Sequence, residues 1–284
     1  MRRAIADHEI HPIGLGAMPL SLEGRPSEAQ AVRTVHAALD AGVTLVDTAD
    51  AYALDESEFG HNETLVARAL AGRRHGIVVA TKGGHTRRGA AWELDGRPEY
   101  LKKACEASLK RLATDRIDLY QYHRPDPAVP FAESVGALRD LRDEGKIRWI
   151  GLSNVTVEQL DEARGIVEIA AVQNELSLRC LDPLRKGEVA ACAERGVAFL
   201  AWSPLGGIGK AEETSATNRA VGEIAGRHRV SPQRVVLGWL LSLGGTVVPI
   251  PGSSRPETIG DSARAPDLDL GEDELGAISA AAGV

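Results

Sequence analysis

The stretch Thr44-Leu45-Val46-Asp47-Thr48-Ala49-Asp50-Ala51-Tyr52 decides how the rest of the chain is read. It opens as a short apolar run, which suits a strand buried on both faces, and turns polar at Asp47. Residues 43–46 are the expected strand, and Asp47 and Tyr52 are carried by its end and the following loop. Upstream, Ser27 is a good N-cap, and Ala31, Val35, Ala38 and Leu39 share one helical face that stops at Gly42. Downstream the same unit recurs: apolar strand, polar loop, amphipathic helix. Strands are expected over 77–80, 117–122, 147–152, 169–172, 197–201 and 246–250, with a first one over 13–18. Helices are expected over 63–71, 99–112, 131–144, 157–164, 184–195, 216–228, 232–243, 256–263 and 272–281. About eight such units in series describe a (β/α)8 TIM barrel better than an open doubly wound sheet. The dinucleotide fingerprint of the open sheet is missing, because Gly14-Leu15-Gly16 runs into Ala17-Met18-Pro19-Leu20. Residues 3–13 alternate weakly around Asp7-His8 and suit a short β-hairpin. No linker divides the chain, so a single domain over 1–284 is expected.

Composition narrows the function. Hydrophobic residues make up 43% of the chain, enough for a sizeable core. A net charge of −7, from 33 Lys plus Arg against 40 Asp plus Glu, argues against nucleic acid as a partner. Cys105, Cys180 and Cys192 have neither metal-site nor redox spacing, and read as reduced thiols. The first residues lack a signal peptide's apolar run, and no stretch is long enough to span a membrane. The expectation is a soluble cytoplasmic protein, monomeric or weakly homo-oligomeric, with no metal site.

In a barrel of this kind chemistry gathers at the C-terminal ends of the strands. Those ends carry Asp47, Lys82, His123, Ser153-Asn154, Gln173-Asn174, Trp202-Ser203 and Gly252-Ser253-Ser254-Arg255. Adjacent strands run about 4.8 Å apart, so Asp47, Lys82 and His123 can converge, with Tyr52 folding over them. A phenol of ordinary pKa near 10 is a slow proton donor at neutral pH. A neighbouring ammonium, Lys82 held by Asp47, would lower that pKa and make Tyr52 a general acid. His123 would orient a substrate oxygen. This set suits carbonyl reduction, given a source of hydride. Each residue also has a structural reading: a half-buried loop aromatic, a structural ion pair, a strand-capping histidine.

The motifs resemble the aldo-keto reductase superfamily. They are Gly-Val-Thr-Leu-Val-Asp-Thr-Ala-Asp-Ala-Tyr (42–52), Asn62-Glu63, Ala80-Thr81-Lys82-Gly83, Asp115 through His123, Gly145 through Asn154, Val172-Gln173-Asn174-Glu175, Trp202-Ser203-Pro204-Leu205-Gly206 and Ile250-Pro251-Gly252-Ser253. The resemblance implies a nicotinamide-dependent carbonyl reductase acting on a small-molecule substrate. Its catalytic tetrad falls on Asp47, Tyr52, Lys82 and His123. Its cofactor contacts fall on Ala17, Met18, Asp47, Ser153, Asn154 and Gln173. The ring-stacking aromatic falls on Trp202, and Ser203, Pro204, Leu205 and Gly207 lie in the pyrophosphate segment. Gly252, Ser253, Ser254, Arg255, Thr258, Asp261 and Ser262 belong to its adenosine end.

Several positions depart from that pattern. Many members carry basic residues where Gly252 and Thr258 stand, gripping the 2′-phosphate of NADPH. Arg255 is the replacement here, which favours NADPH and keeps NADH open. Asp261-Ser262 is shorter than the usual adenine-contacting pair, and Ala17 replaces a frequent threonine. The short loop 124–129 and the end at Val284 imply an open pocket, walled by Met18, Leu22, Tyr52, His123 and Trp92. Trp92 also reads as a loop anchor. Two other readings are a Schiff-base lyase using Lys82, and a cofactor-binding regulatory subunit of the same fold.

Overall fold

A computed structural model describes residues 2–213 and 218–284. It opens with the expected hairpin, β1 (Arg3–Ile5) and β2 (His8–Ile10), paired antiparallel. Then come β3 (Leu15–Gly16), α1 (Glu28–Asp40), β4 (Leu45–Asp47), α2 (His61–Ala69) and β5 (Val78–Gly83). A second hairpin, β6 (His85–Arg88) and β7 (Ala91–Leu94), precedes α3 (Pro98–Leu112), β8 (Ile117–Tyr122) and α4 (Phe131–Asp143). The chain continues through β9 (Ile147–Ser153), α5 (Val157–Arg164), β10 (Ala171–Glu175), α6 (Asp182–Arg185), α7 (Glu188–Glu194) and β11 (Ala198–Trp202). It ends with α8 (Arg219–His228), α9 (Pro232–Ser242), β12 (Val247–Pro249), α10 (Pro256–Ser262) and α11 (Glu272–Ala282).

Strands β3, β4, β5, β8, β9, β10, β11 and β12 form one eight-stranded sheet whose neighbours all pair in parallel. The sheet closes on itself. Gly14 N–H donates to Pro249 O at 2.9 Å, Gly16 N–H to Pro251 O at 3.0 Å, and Gly16 bridges Gly252 in parallel. This is the (β/α)8 barrel expected from the repeat.

Two expectations change in detail. The helix expected over 184–195 is two helices, α6 and α7, broken at Gly187, whose φ of 76° is left-handed and suits glycine. The helix expected over 216–228 begins at Arg219, and residues 216–217 lie outside those described.

Period-two alternation sets what faces the barrel interior. Leu45, Val78, Ala80, Leu119, Trp149, Ala171, Ala198, Leu200, Val248 and Ile250 form one buried apolar cluster there. Ile5 and Ile10 of the hairpin join it and plug the N-terminal end. Arg3 fastens the plug: its guanidinium donates to Val247 O at 2.8 Å, Leu241 O at 2.7 Å and Gly244 O at 3.1 Å. The outer cores lie between sheet and helices, with Trp239, Tyr120 and Phe199 among the largest fully buried side chains.

Hydrogen bonds from a charged donor contribute about 1.5–3 kcal/mol each net, and Arg3→Ala leaves three carbonyls without that donor. The expected outcome in urea unfolding is a loss of about 2–3 kcal/mol. An unchanged midpoint would show that the hairpin does not help hold the barrel closed.

Candidate active site

Continuing the inward register past the apolar layer brings Asp47, Lys82, His123, Ser153, Gln173 and Trp202 to the C-terminal mouth. Lys82 pairs in register with Gln121, Gln121 with Gly151, and Ser153 with Gln173. Lys82 is fully buried, with its ammonium 2.6 Å from Asp47 Oδ2, 2.9 Å from Thr48 O and 3.0 Å from the Tyr52 hydroxyl. Asp47 Oδ1 accepts from Gln173 Nε2 at 2.7 Å and Gln121 Nε2 at 3.3 Å. Gly151 makes this possible, since a Cβ there would come within 2.7 Å of Gln121 Cγ.

Burial alone would lower the Lys82 pKa, but Asp47 and Tyr52 outweigh it and hold the ammonium above its ordinary value. Burial raises the Tyr52 phenol. Lys82 pulls it back, and the net direction is upward. The lowering expected from Lys82 is therefore present and outweighed. Burial pushes His123 well below its usual range, reinforced by Lys82, His85 and Arg124, so its imidazole is neutral at physiological pH. Its Nδ1 is buried with no hydrogen-bond partner among the described residues. Behind the loop, Asp50 is fully buried. Desolvation, with Glu63 adding to it, pushes its carboxyl well up and favours the neutral acid.

These groups open into a cleft of about 740 Å³. Met18, Asp47, Tyr52, Trp92 and His123 line one end, Ser153, Asn154, Gln173 and Trp202 the middle. Ser203, Pro204, Leu205, Gly207, Gly252, Ser253, Ser254, Arg255, Thr258, Asp261 and Ser262 line the rest. Lys82 stands behind Tyr52 and does not line the cleft. Asn154 and Ser203 hold φ of 59° and 49°, left-handed values uncommon outside glycine, at two strand ends on its rim. A separate pocket of about 280 Å³ around Glu58, His61 and Arg68 contains none of these groups.

Two expected contacts are absent from the cleft. Ala17 is fully buried, donating to Asp47 O and accepting from Asn62, and Leu22 is likewise outside the lining. Asp261 does reach the cleft, but Arg234 and Ser231 both engage its carboxylate.

Sequence reading missed the second hairpin and its residues His85 and Arg87, and it missed Gln121 and Arg124. His85 lines the cleft with its ring perpendicular to that of His123, centroids 4.3 Å apart. Arg87 lies over Trp92 at 4.1 Å and donates to Ala53 O at 2.9 Å and Leu54 O at 2.6 Å. It thereby ties the hairpin to the loop that carries Tyr52. Gln121 was detectable as an inward position one step below His123; Arg87 had no comparable signal.

The cleft's residues suit a nicotinamide dinucleotide. The cleft is lined from the Tyr52 loop to helix α10, and its volume is within the range of cofactor sites. Trp202 Nε1 is a buried donor with no partner among the described residues. The Arg255 guanidinium, at a cleft-lining position, is a donor suited to phosphate. The residues fit. Among the described residues, no group of three or more His, Cys, Asp or Glu could hold a metal, and no helix is long and apolar enough to cross a membrane.

A (β/α)8 barrel with a buried Asp-Lys-Tyr cluster and a neutral histidine at its C-terminal mouth defines an oxidoreductase-type site. Comparison with known proteins agrees: the Aldo/keto reductase family profile matches residues 12–282. A 6-dehydroglucose reductase of Novosphingobium aromaticivorans is 36% identical over 266 residues, covering 90% of this chain and 86% of that protein. The glycerol dehydrogenase of Gluconobacter oxydans superposes with a TM-score of 0.85 at 28% identity, over 99% of this chain and 94% of that one. An aldo/keto reductase of Klebsiella pneumoniae, solved with NADP and acetate, gives 0.81 at 25% identity, over 97% and 93%. The chain belongs to the aldo/keto reductase family, whose members use nicotinamide cofactors.

Arg87→Ala should free the second hairpin. Amide exchange at residues 85–94 and 53–56 is expected to accelerate about 10-fold or more, a local loss of ~1.4 kcal/mol, with the barrel strands unaffected. Exchange unchanged in both segments would remove Arg87 as their tie.

Proposed function

We propose that this protein is an NADPH-dependent reductase of small aldehydes or ketones, with Tyr52 as proton donor. The observation that carries the reading is the buried Lys82 ammonium in contact with both Asp47 and the Tyr52 hydroxyl. A bound nicotinamide would supply hydride to the carbonyl carbon. Tyr52 gives its phenolic proton to the carbonyl oxygen, and Lys82 stabilises the phenolate left behind until solvent reprotonates it. His123, neutral, donates a hydrogen bond that orients the same oxygen. Trp202, Ser153, Asn154 and Gln173 hold the nicotinamide end, residues 203–207 the pyrophosphate, and Ser253, Ser254, Arg255 and Thr258 the 2′-phosphate end.

The Schiff-base alternative asks Lys82 to attack as a free amine. Its raised pKa and three engaged contacts oppose that role. The open pocket is formed by Met18, Tyr52, Trp92 and His123, with Trp92 42% exposed at its edge.

Tyr52→Phe is expected to reduce turnover about 10²–10⁴-fold while NADPH affinity, read by cofactor fluorescence, stays within about threefold. Equal loss of both would sink the acid role. The raised phenol pKa fixes the sign of the pH dependence: Tyr52 stays protonated through neutral pH, so reduction is lost only as pH rises past the phenol's pKa. Alcohol oxidation, which needs the phenolate, climbs with pH.

Arg255→Ala should weaken NADPH about 10–100-fold and NADH by less than about threefold, because a guanidinium pairs its N–H groups with phosphate oxygens. Equal weakening of the two cofactors in titration would rule out Arg255 as the phosphate reader.

A further inference from the structure

The substrate end of the cleft has an unused charge. Arg124 follows His123 directly, is exposed, and lines the cleft beside His85, His123 and Trp92. Among the described residues it has no hydrogen-bond or ion-pair partner. The nearest acid in sequence, Asp126, is occupied: its oxygens accept from Gly96 N–H at 3.0 Å and Ala128 N–H at 2.9 Å.

Among the described residues, no acid offsets Arg124 within the pocket. Among the described residues, three acidic side chains line the cleft. Asp47 is neutralised by Lys82. Glu257 and Asp261 stand on helix α10 beside Arg255, and Asp261 is paired with Arg234. The other polar groups at the substrate end, His85 and His123, are imidazoles that burial holds uncharged, and both feel the positive field of Lys82 and Arg124. The result is a pocket mouth with one free guanidinium over two neutral imidazoles and an aromatic wall. Such a site favours a ligand that brings its own negative charge.

We propose that the preferred substrates are oxo compounds carrying a carboxylate or phosphate a few bonds from the carbonyl, and that Arg124 receives this anionic group at the pocket mouth. The inference rests on the reductase reading given above, with the carbonyl oxygen set between Tyr52 and His123. The planar guanidinium offers paired N–H donors that match the two oxygens of either anion. Trp92 and His85 then flank the segment between charge and carbonyl. A neutral polyol would leave Arg124 unpaired and gain nothing from it.

The test uses the full chain with NADPH and two matched pairs: 4-carboxybenzaldehyde against benzaldehyde, and glyceraldehyde 3-phosphate against glyceraldehyde. In at least one pair the anionic member is expected to show about 10-fold or greater kcat/KM at low ionic strength, an advantage that shrinks with added salt. The pair that shows it identifies the anion. Arg124→Ala should cut the anionic-to-neutral ratio about 10-fold or more, mainly through KM, and Arg124→Lys should retain part of it. Equal kcat/KM within both pairs in the wild type overturns the proposal, as does an Arg124→Ala loss equal for both members. Turnover of none of the four compounds overturns the reductase reading and this inference with it. Turnover of the neutral members without an anionic preference leaves the reductase reading standing and defeats the inference alone.

Discussion

The site depends on one buried cation. An ammonium with no solvent exposure costs several kcal/mol in lost hydration unless its protons are satisfied and its charge balanced. Lys82 meets both conditions with Asp47, Thr48 O and Tyr52. That requirement fixes everything near it. Asp47 must stay ionised, and two glutamines from across the barrel, on β8 and β10, donate to its second oxygen. The loop after Asp47 must bring Tyr52 back over the mouth, because the phenol is the ammonium's third contact. Asp50, in the same loop, is held towards its neutral form, so it does not compete for the Lys82 charge.

The barrel sorts polar from apolar along its axis. On four strands the inward position is apolar in the lower layer and polar above it: Leu45 then Asp47, Ala80 then Lys82, Leu119 then Gln121, Ala171 then Gln173. The apolar layer seals the bottom with the help of Ile5 and Ile10, and it excludes water from beneath the ion pair. Low dielectric there strengthens the Asp47–Lys82 attraction and also raises the phenol's pKa. The two effects have one cause, so a well-buried tetrad and a high Tyr52 pKa come together.

Much of this was legible in the sequence for a physical reason. A parallel strand covered on both faces must be apolar until it reaches the mouth, so the first polar residue on each run marks the site. Asp47, Lys82, His123 and Gln173 stood out that way. What was not legible depended on contacts between segments far apart. The second hairpin has charged and aromatic residues on a half-exposed ribbon, with no apolar period to reveal it, and Arg87 ties it down through carbonyls 34 and 33 residues away. Gly187 sits inside an otherwise helical pattern, and a single glycine does not by itself foretell a break. Ala17 was expected at the cofactor only through the family resemblance; its side chain does not line the cleft, and its backbone is consumed by Asp47 and Asn62.

The same steric logic governs position 252 at the cleft rim. Gly16 and Gly252 meet where the barrel closes, and a Cβ on Gly252 would come within 2.7 Å of Pro19 Cγ. Pro19 is rigid, so any side chain at 252 would have to displace the turn that also carries Met18 into the pocket. Arg255 is exposed and precedes helix α10, its backbone N–H held by Ser253 Oγ. Moving the cation by three residues keeps a guanidinium at the cleft rim without disturbing the closure. The tight seam of the barrel thus excludes a side chain from position 252.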